Sequence, residues 1–244
     1  MNHIKSNFRR ALLLLTAAPI FAMGQNSAAG PHTETVATAS YQKIYYVDNT
    51  SGSETGDGSK TSPWKSISSA VKNIEIKQGQ KSALLIAEGS YPESQLQLRS
   101  GIDLYGGFKS GSWERNIQRY ATTITGSGKN QVMLGANNCR VDGFTIAQGS
   151  VRGNGGAINC LTTSPTLTNN IFSGNKSLKP EQWSPKFMHE TANNGGAVFG
   201  IDGSSPIIRN NLFVNNTTEN GRPNSCTKPQ TMVVQYLELM VHLR

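Results

Sequence analysis

The sequence predicts an all-β protein in which short parallel strands stack coil upon coil, and two observations carry that prediction. Segments 154–175 and 194–216 repeat one pattern: Gly-Gly-Ala and a β-branched residue, then Ser-Pro, a short strand, Asn-Asn and Phe-x-x-Asn. Such repeats indicate stacked units that bury their apolar faces only against one another. The composition agrees, since 25 glycines and an apolar fraction of 36% suit a turn-rich β protein better than a helical one.

Residues 1–24 are predicted to be a secretory signal peptide. Three cations among the first ten residues precede an apolar run over 11–22, which is short for a membrane span. A retained membrane anchor is the alternative. Residues 25–42 are rich in Ser, Thr, Ala and Gly without periodicity, so we predict a flexible linker there. We therefore expect an exported protein, at the cell surface, in the outer membrane or secreted.

Charge and cysteine content say little about partners. The formal net charge is +8, but without the leader and residues 220–244 the chain keeps 17 basic and 14 acidic residues, a net charge of +3. No basic stripe interleaved with aromatic residues is present, so we expect no nucleic-acid partner. Cys139 and Cys160 are expected to be buried free thiols, with a disulfide between them as the alternative.

Residues 43–219 are predicted to form one β domain. It opens with a strand at 44–47, and Ile67, Ala70, Val71 and Ile74 follow at helical spacing with Ser66 as the N-cap. We expect this short helix to cover the open end of the stack. Further strands, bounded by Gly, Asn, Ser or Pro, are predicted at 83–87, 95–98, 102–105, 122–124, 132–134 and 141–146.

Repeated bends are predicted to hold the coils in register. We align Asp142-Gly143 with Asn169-Asn170 and with Asn210-Asn211, because Asn, Asp and Gly tolerate a left-handed backbone. Stacked at about 4.8 Å, the Asn amides would form a hydrogen-bonded ladder. Unrelated surface turns are the alternative.

The paired motifs resemble a known family. Gly155-Gly156-Ala157-Ile158 with Phe172-Ser173-Gly174-Asn175, and the equivalent residues at 195–198 and 213–216, are similar to the GGA[I/L/V] and FxxN motifs of the polymorphic outer-membrane protein repeat family. The resemblance implies a right-handed parallel β-helix of the pectate-lyase-like class and a surface-exposed passenger, often an adhesin. The segment 44–74 resembles the first coil of secreted β-helix proteins, including polysaccharide lyases. Family members usually carry an outer-membrane or secretion module after the helix, and none is visible here.

Residues 220–244 are predicted to be a non-native, frameshifted tail. We back-translated this segment and regrouped the bases, so that each new codon joins the last base of one codon to the first two bases of the next. With one consistent choice of synonymous codons, the regrouped bases encode WSPKFMHETANNGGAVFGIDGSSP, which is the sequence of residues 183–206. We therefore expect that a frameshift near Glu219 truncates a longer repeat protein, and that residues after about Gly221 form no proper coil and leave the helix open and uncapped. Sequencing the coding DNA tests this prediction.

No catalytic residue, cofactor or metal ligand is assigned from the sequence. The histidines of the mature chain, at 32, 189 and 242, lie outside the predicted coils, so they offer no triad. A lyase of the resembled class would need clustered carboxylates for calcium and an Arg or Lys base. The acidic residues are instead scattered singly along the chain: Asp48, Glu54, Asp57, Asp103, Asp142 and Asp202. We interpret Asp48, Glu54 and Asp57 as solvated turn residues, and Asp142 and Asp202 as bend residues. Arg140 and Arg152 are interpreted as ordinary surface charges.

The segment from Lys176 to Thr191 is predicted to be an insertion between coils. It carries Trp183, Phe187 and three lysines: Lys176, Lys179 and Lys186. Such insertions often bind partners, although these aromatic side chains could instead pack the loop on the stack. The sequence thus predicts an exported β-helix repeat protein that acts in surface display or adhesion toward a glycan or protein, through the shape of the stack rather than a reactive centre. A polysaccharide lyase or glycoside hydrolase on the same fold, with calcium under the lyase version, is the alternative.

Overall fold

The computed structural model describes residues 36–179, 195–200 and 203–219, together with the backbone of Gln230–Glu238. The described elements are a 3-10 turn at Thr38–Ser40, one helix and seventeen strands. The helix is α1 (Ile67–Asn73). The strands are β1 (Lys43–Val47), β2 (Ser82–Ala87), β3 (Gly89–Pro92), β4 (Leu96–Gln97), β5 (Ile102–Phe108), β6 (Thr122–Thr125), β7 (Met133–Leu134), β8 (Arg140–Asp142), β9 (Thr145–Ala147), β10 (Ser150–Arg152), β11 (Ile158–Asn159), β12 (Thr166–Thr168), β13 (Ile171–Ser173), β14 (Lys176–Leu178), β15 (Val198–Phe199), β16 (Ile207–Thr218) and β17 (Gln230–Glu238).

The strands form the faces of a right-handed parallel β-helix, as the sequence predicted. Face one consists of β1, β2, β5, β8, β12 and the start of β16 in that order. Face two consists of β3, β6, β9, β13 and the middle of β16, and face three of β4, β7, β11 and β15. The strand β16 runs without a break from face one into face two and so joins the two sheets.

The interior is built from columns of apolar side chains, one from each coil. Because successive strands are parallel and in register, alternate residues of every coil point inward at the same height. On face one the inward column is Leu84, Leu104, Val141, Leu167 and Ile208. On face two, the rings of Phe172 and Phe213 stack with centroids 4.8 Å apart.

The two sequence repeats occupy equivalent layers. The Gly156 N–H donates to the Gly195 carbonyl oxygen at 3.2 Å, and the Ala157 N–H donates to the Ala197 oxygen at 2.9 Å. The strand β11 pairs with β15 so that Ile158 lies beside Val198. The repeat detected in the sequence is therefore the physical repeat of the stack.

The predicted bends are present, but their register was wrong by one residue. Val141 pairs with Leu167, and Leu167 pairs with Ile208, so Gly143, Asn169 and Asn210 occupy equivalent positions in successive coils. Gly143, Asn169 and Asn210 are the residues with positive φ, at 83°, 55° and 52°. The predicted strand 141–146 is accordingly two strands, β8 and β9, on different faces of the helix.

The asparagines that follow these bends form two buried ladders. Asn170 Oδ1 accepts a hydrogen bond from the Phe144 N–H at 3.0 Å, and its Nδ2 donates to the Val141 oxygen at 2.9 Å. Asn211 makes the equivalent bonds one coil later, to the Asn170 N–H and the Leu167 oxygen. In the second ladder, Asn175 and Asn216 bond the preceding coil in the same way. Each amide therefore bonds two backbone groups of the preceding coil at a corner of the helix.

The predicted helix is present as α1, with Ser66 as its N-cap. Ser66 Oγ accepts a hydrogen bond from the Ser69 N–H, and the apolar residues of α1 join the main core. Side chains from the next coil hold both helix ends. Glu93 Oε1 accepts from the N–H groups of Ile67 and Ser68, and Arg99 Nη1 donates to three carbonyl oxygens at the other end. Whether α1 also closes the end of the stack stays a prediction.

Several predicted boundaries differ from the structure. Residues 36–42, assigned to the linker, are ordered and contribute Tyr41 to a hydrogen-bond cluster. The start of the predicted insertion, Lys176–Leu178, is the strand β14, which pairs in parallel with β10, and residues 180–191 lie outside the described residues. Beyond the coils, β17 runs antiparallel along β16. This part of the tail adds no parallel coil, as expected, but it covers an edge that we expected to be open.

Candidate functional site

The outward side of face one changes character along the stack. Over β1 and β2 it is apolar, and it packs against two segments: the N-terminal strap (residues 36–42) and a hairpin-like insertion (residues 109–120). Trp113 of that insertion contacts Tyr46 edge-on with ring centroids 4.7 Å apart. Ala83, Leu85, Tyr105 and Phe108 form the buried centre of this second apolar cluster. The outward residues of the next strands are charged, and the strap and the insertion flank them.

Asp142 is the centre of the charged part. Its carboxylate lies 2.5 Å from Arg115 Nη2 and accepts hydrogen bonds from Thr168 Oγ1 at 2.8 Å and Asn169 Nδ2 at 3.2 Å. Arg140 Nη1 lies 3.4 Å from the second carboxylate oxygen. The Asp142 side chain is only 1% exposed. Its charge is therefore compensated by contacts from its own strand, from the next coil and from the insertion.

Asp103, on the preceding coil, anchors the strap. It accepts a hydrogen bond from the Tyr41 hydroxyl at 2.7 Å, and Lys81 Nζ lies 3.3 Å away. The hydroxyls of Tyr41 and Tyr105 are 2.6 Å apart. Because Tyr41 gives its single proton to Asp103, the Tyr105 hydroxyl donates to Tyr41. The cluster is a short relay that ends on the Asp103 carboxylate.

The two phenols of this relay stay neutral at physiological pH. Burial raises the pKa of Tyr41 far above its ordinary value, and the hydrogen bonds to Tyr105 and Asp103 raise it further. Burial also raises the pKa of Tyr105. For Arg140, burial lowers the pKa of the guanidinium, but Tyr105, Asp142 and Asp103 outweigh burial and raise it. The site therefore presents a fixed cation beside neutral hydroxyl groups.

A pocket of about 380 Å³ opens between the strap and these charged residues. Its ionic and aromatic lining consists of Lys81, Asp103, Tyr105, Arg140 and the strap residue Tyr41. Small polar residues from the turns that precede β8 and β12 complete it, among them Asn138 and Ser164. This pocket is the candidate functional site.

The sequence reasoning missed this cluster. Asp103, Arg140 and Asp142 were treated as isolated residues, and Asp142 as a bend residue. In the structure Leu104 pairs with Val141, so Asp103 lies beside Arg140 on the outward side. The acidic residues were judged to be scattered from their separation along the chain, but in a stack the nearest neighbours come from adjacent coils. The interpretation of Arg140 as a surface charge without partners is wrong for the same reason.

Asp48, interpreted as a solvated turn residue, is buried. Its carboxylate accepts hydrogen bonds from the Ser110 hydroxyl at 2.6 Å, the Ser51 hydroxyl at 2.7 Å and the Thr50 N–H at 2.9 Å. Burial alone would raise the pKa of Asp48, but the donors from Ser110 and Ser51 outweigh it and lower the pKa. Asp48 thus fastens the insertion 109–120 to the first coil.

This lowered pKa predicts an acid-dependent stability. A carboxyl group whose pKa is lower in the folded state stabilises the fold above its unfolded pKa, and that contribution is lost as the pH falls through the folded pKa. We expect Asp48→Asn to be less stable than the wild type at neutral pH, with the difference shrinking on acidification. Urea-unfolding midpoints across the acidic range check this. A difference that does not vary with pH would contradict it.

The remaining candidate residues either make ordinary surface contacts or lie outside the described residues. Asp57 is exposed and accepts a hydrogen bond from the Ser59 N–H, as a turn residue does. Glu54 is exposed and accepts from the Ser69 hydroxyl, and Arg152 donates to the Lys179 carbonyl oxygen. Outside the described residues lie the leader, Asp202, Trp183, Phe187, Lys186 and the histidines at 32, 189 and 242.

Comparison with known proteins places the chain in a family. Residues 50–228 match the model of a protein family of unknown function, DUF1565, whose members are parallel β-helix proteins. This chain belongs to the DUF1565 family. No curated protein and no solved structure matches it. The match agrees with the stacked strands, whereas the finer resemblance to the polymorphic outer-membrane repeat stays a prediction.

The DUF1565 chain shows no clustered metal ligands in the part that the structure describes. There, no three His, Cys, Asp or Glu residues come together in a group that could hold an ion. Within the same residues, no helix is both long and apolar enough to cross a lipid bilayer.

Cys139 and Cys160 are free and buried in this DUF1565 chain. Burial raises the pKa of both thiols to about 12. Because the thiolate is the reactive form, we expect neither cysteine to react with iodoacetamide at neutral pH until the protein is unfolded. Mass spectrometry of labelled peptides checks this. Rapid labelling of either residue in the folded protein would contradict it.

Proposed function

We propose that this DUF1565 protein is an exported β-helix repeat protein that acts in surface display or adhesion toward a glycan or a protein. The observation that carries the proposal is the state of Asp142. It is the most deeply embedded acid of the outward face, and side chains from four residues already engage its carboxylate. Proton transfer in catalysis needs a group that can reach a substrate. The outward face is better suited to binding than to acid–base chemistry.

The resemblance of the repeats to polymorphic outer-membrane proteins supports the same proposal. A stack of coils presents a long surface of fixed geometry, which suits repeated contacts with an extended partner. The predicted signal peptide supports the export of the chain from the cytoplasm. Association with the outer membrane would then depend on a module outside this sequence.

Two measurements test this function. Intact cells that produce the chain are treated with an added protease, and the purified full chain is tested for saturable binding to surfaces coated with glycans or cell-surface proteins. We expect the protease to cleave the chain on intact cells and at least one coating to bind it saturably. If intact cells protect the chain fully from the protease, or if no coating binds the chain saturably, the result counts against the proposal.

A second function is favoured by one specific observation. Two outward carboxylates lie beside basic side chains, Asp103 near Lys81 and Asp142 near Arg140. A polysaccharide lyase or glycoside hydrolase needs acidic and basic groups on this face. The discriminating experiment incubates the chain with acidic polysaccharides, with and without calcium. Calcium-dependent release of unsaturated sugars would establish a lyase and displace the adhesion proposal.

A further inference from the structure

The pocket on face one holds two cations whose hydrogen-bonding capacity the protein uses only in part. Toward the residues that the structure describes, Arg140 bonds through Nη1 alone, at 3.4 Å to Asp142 and 3.2 Å to Thr168. Among the described residues, its Nε and Nη2 have no acceptor. Within the part of the chain that the structure describes, Lys81 Nζ bonds only Asp103, at 3.3 and 3.5 Å. The two side chains are 36% and 38% exposed, so their donors are open to a ligand.

The positive charge of Arg140 is not needed to neutralise the buried carboxylate of Asp142. Asp142 has its closest cation in Arg115, at 2.5 Å, and two neutral donors besides. Three cations, Lys81, Arg115 and Arg140, therefore face two carboxylates in this cluster. One positive charge remains uncompensated at the pocket. A guanidinium with two adjacent open donors is the group that grips a planar carboxylate best.

The rest of the lining suits a polyhydroxylated ligand. Tyr105, Asn138, Ser164 and Thr166 bring hydroxyl and amide groups to the pocket. The volume of about 380 Å³ lies at the small end for ligand sites, which limits the ligand to about one ring. Hydroxyl and amide groups around a ring-sized space match the hydroxyls of a sugar.

We propose that this pocket binds a sugar that carries a carboxylate, with Arg140 and Lys81 holding the acid group and the neutral lining holding the ring hydroxyls. The inference deepens the proposed function by naming a ligand class for the outward face, and it rests on that proposal only for its biological role. It involves binding alone, and no bond is made or broken.

Calorimetric titration of the purified full chain tests the inference, with glucuronate as the probe and glucose and acetate as comparators. We expect glucuronate to bind at least about tenfold more tightly than either comparator, because neither offers both the acid and the ring. Arg140→Gln and Lys81→Met should each weaken glucuronate binding, the first by about tenfold or more. The exposed Arg119 supplies the matched control, and Arg119→Gln should bind as the wild type does.

One further variant gives an effect of opposite sign. Asp103→Asn removes a negative charge near the proposed acid group and keeps an acceptor for Tyr41, so glucuronate binding should tighten several-fold while glucose binding changes little. Thermal melting verifies that each variant is folded. Arg140→Lys keeps the positive charge but loses the paired donors of the guanidinium, so it should bind glucuronate with intermediate affinity.

The inference is overturned if no glucuronate binding is detected, if either comparator binds as tightly, or if Arg140→Gln leaves the affinity unchanged. Its failure is distinguishable from that of the proposed function. A chain that adheres to a coated surface without binding glucuronate retains adhesion and loses the sugar-acid pocket. A chain that binds glucuronate but is never exposed on cells retains the sugar-acid pocket and contradicts the proposed surface function.

Discussion

Asp142→Ala is expected to lower the free energy of unfolding by about 3–5 kcal/mol, the usual cost of removing one partner of a buried ion pair. The carboxylate is 1% exposed, and its removal takes the ion-pair partner at 2.5 Å away from the Arg115 side chain, which is only 9% exposed. The insertion 109–120 should also loosen, because Arg115 is one of its attachments to face one. Urea unfolding followed by circular dichroism measures the loss.

Two controls separate this effect from a general intolerance of acid removal. Asp57→Ala, at an exposed turn, should change the unfolding midpoint far less. In the double variant Asp142→Ala with Arg115→Leu, part of the lost stability should return, since the buried cation is removed together with its carboxylate. If Asp142→Ala cost no more than Asp57→Ala, the ion pair would not stabilise the fold.

Asn170→Val is expected to destabilise the protein by about 1–3 kcal/mol, because it leaves the buried Phe144 N–H without its acceptor and removes a hydrogen bond to the Val141 carbonyl. Asn170 bonds these two groups at 3.0 and 2.9 Å, and the Val141 carbonyl keeps its pairing with β12 when the amide is lost. The cause differs from the backbone strain that the sequence suggested, since the left-handed residue is Asn169. Chemical denaturation gives the magnitude, and faster amide exchange at Phe144 locates it.

The neighbouring bend supplies the matched control. Asn210 is exposed and has φ 52°, which glycine adopts without strain. Asn210→Gly should therefore leave the unfolding midpoint nearly unchanged. Equal effects of the two substitutions would show that the corners depend on backbone conformation and not on the buried amides.

The stack could be predicted because its physics is local and repetitive. The apolar residues that alternate along each strand, the helical spacing of Ile67, Ala70 and Val71, and the N-cap Ser66 all follow from short stretches of chain. The pairing of residues 40 or 41 apart followed from two near-identical motifs, such as Ile158 with Val198 and Ile171 with Leu212.

The errors came from choosing equivalent residues by side-chain type. Matching Asp142 to Asn169 gave a register wrong by one, whereas the left-handed position requires Gly143 there. In that coil the place of the ladder amides Asn170 and Asn211 is taken by Phe144, so the polar pattern is interrupted. Backbone conformation, not polarity, was the property to align.

The candidate site could not be predicted because it depends on coils of unequal length. Tyr105 pairs with Asp142, 37 positions later, since the insertion 109–120 lengthens that coil, whereas Asp142 pairs with Thr168 after 26. Without those lengths, no spacing rule brings Asp103, Arg140 and Asp142 together. The strap contact between Tyr41 and Asp103 spans 62 positions in a segment whose composition is typical of a linker.

The stacking of the two repeats is tested most directly by a crosslink between Ser173 and Val214, which pair in register on neighbouring coils. The full chain carrying Ser173→Cys and Val214→Cys is treated with mild oxidant, and the buried native thiols Cys139 and Cys160 should stay unreactive. A second chain carries Thr125→Cys and Ser173→Cys, which lie two coils apart, at about 9.6 Å from the strand spacing. The account predicts rapid disulfide formation in the first chain and none in the second. Failure of the first pair to crosslink, or equal rates for both, would contradict the parallel stack.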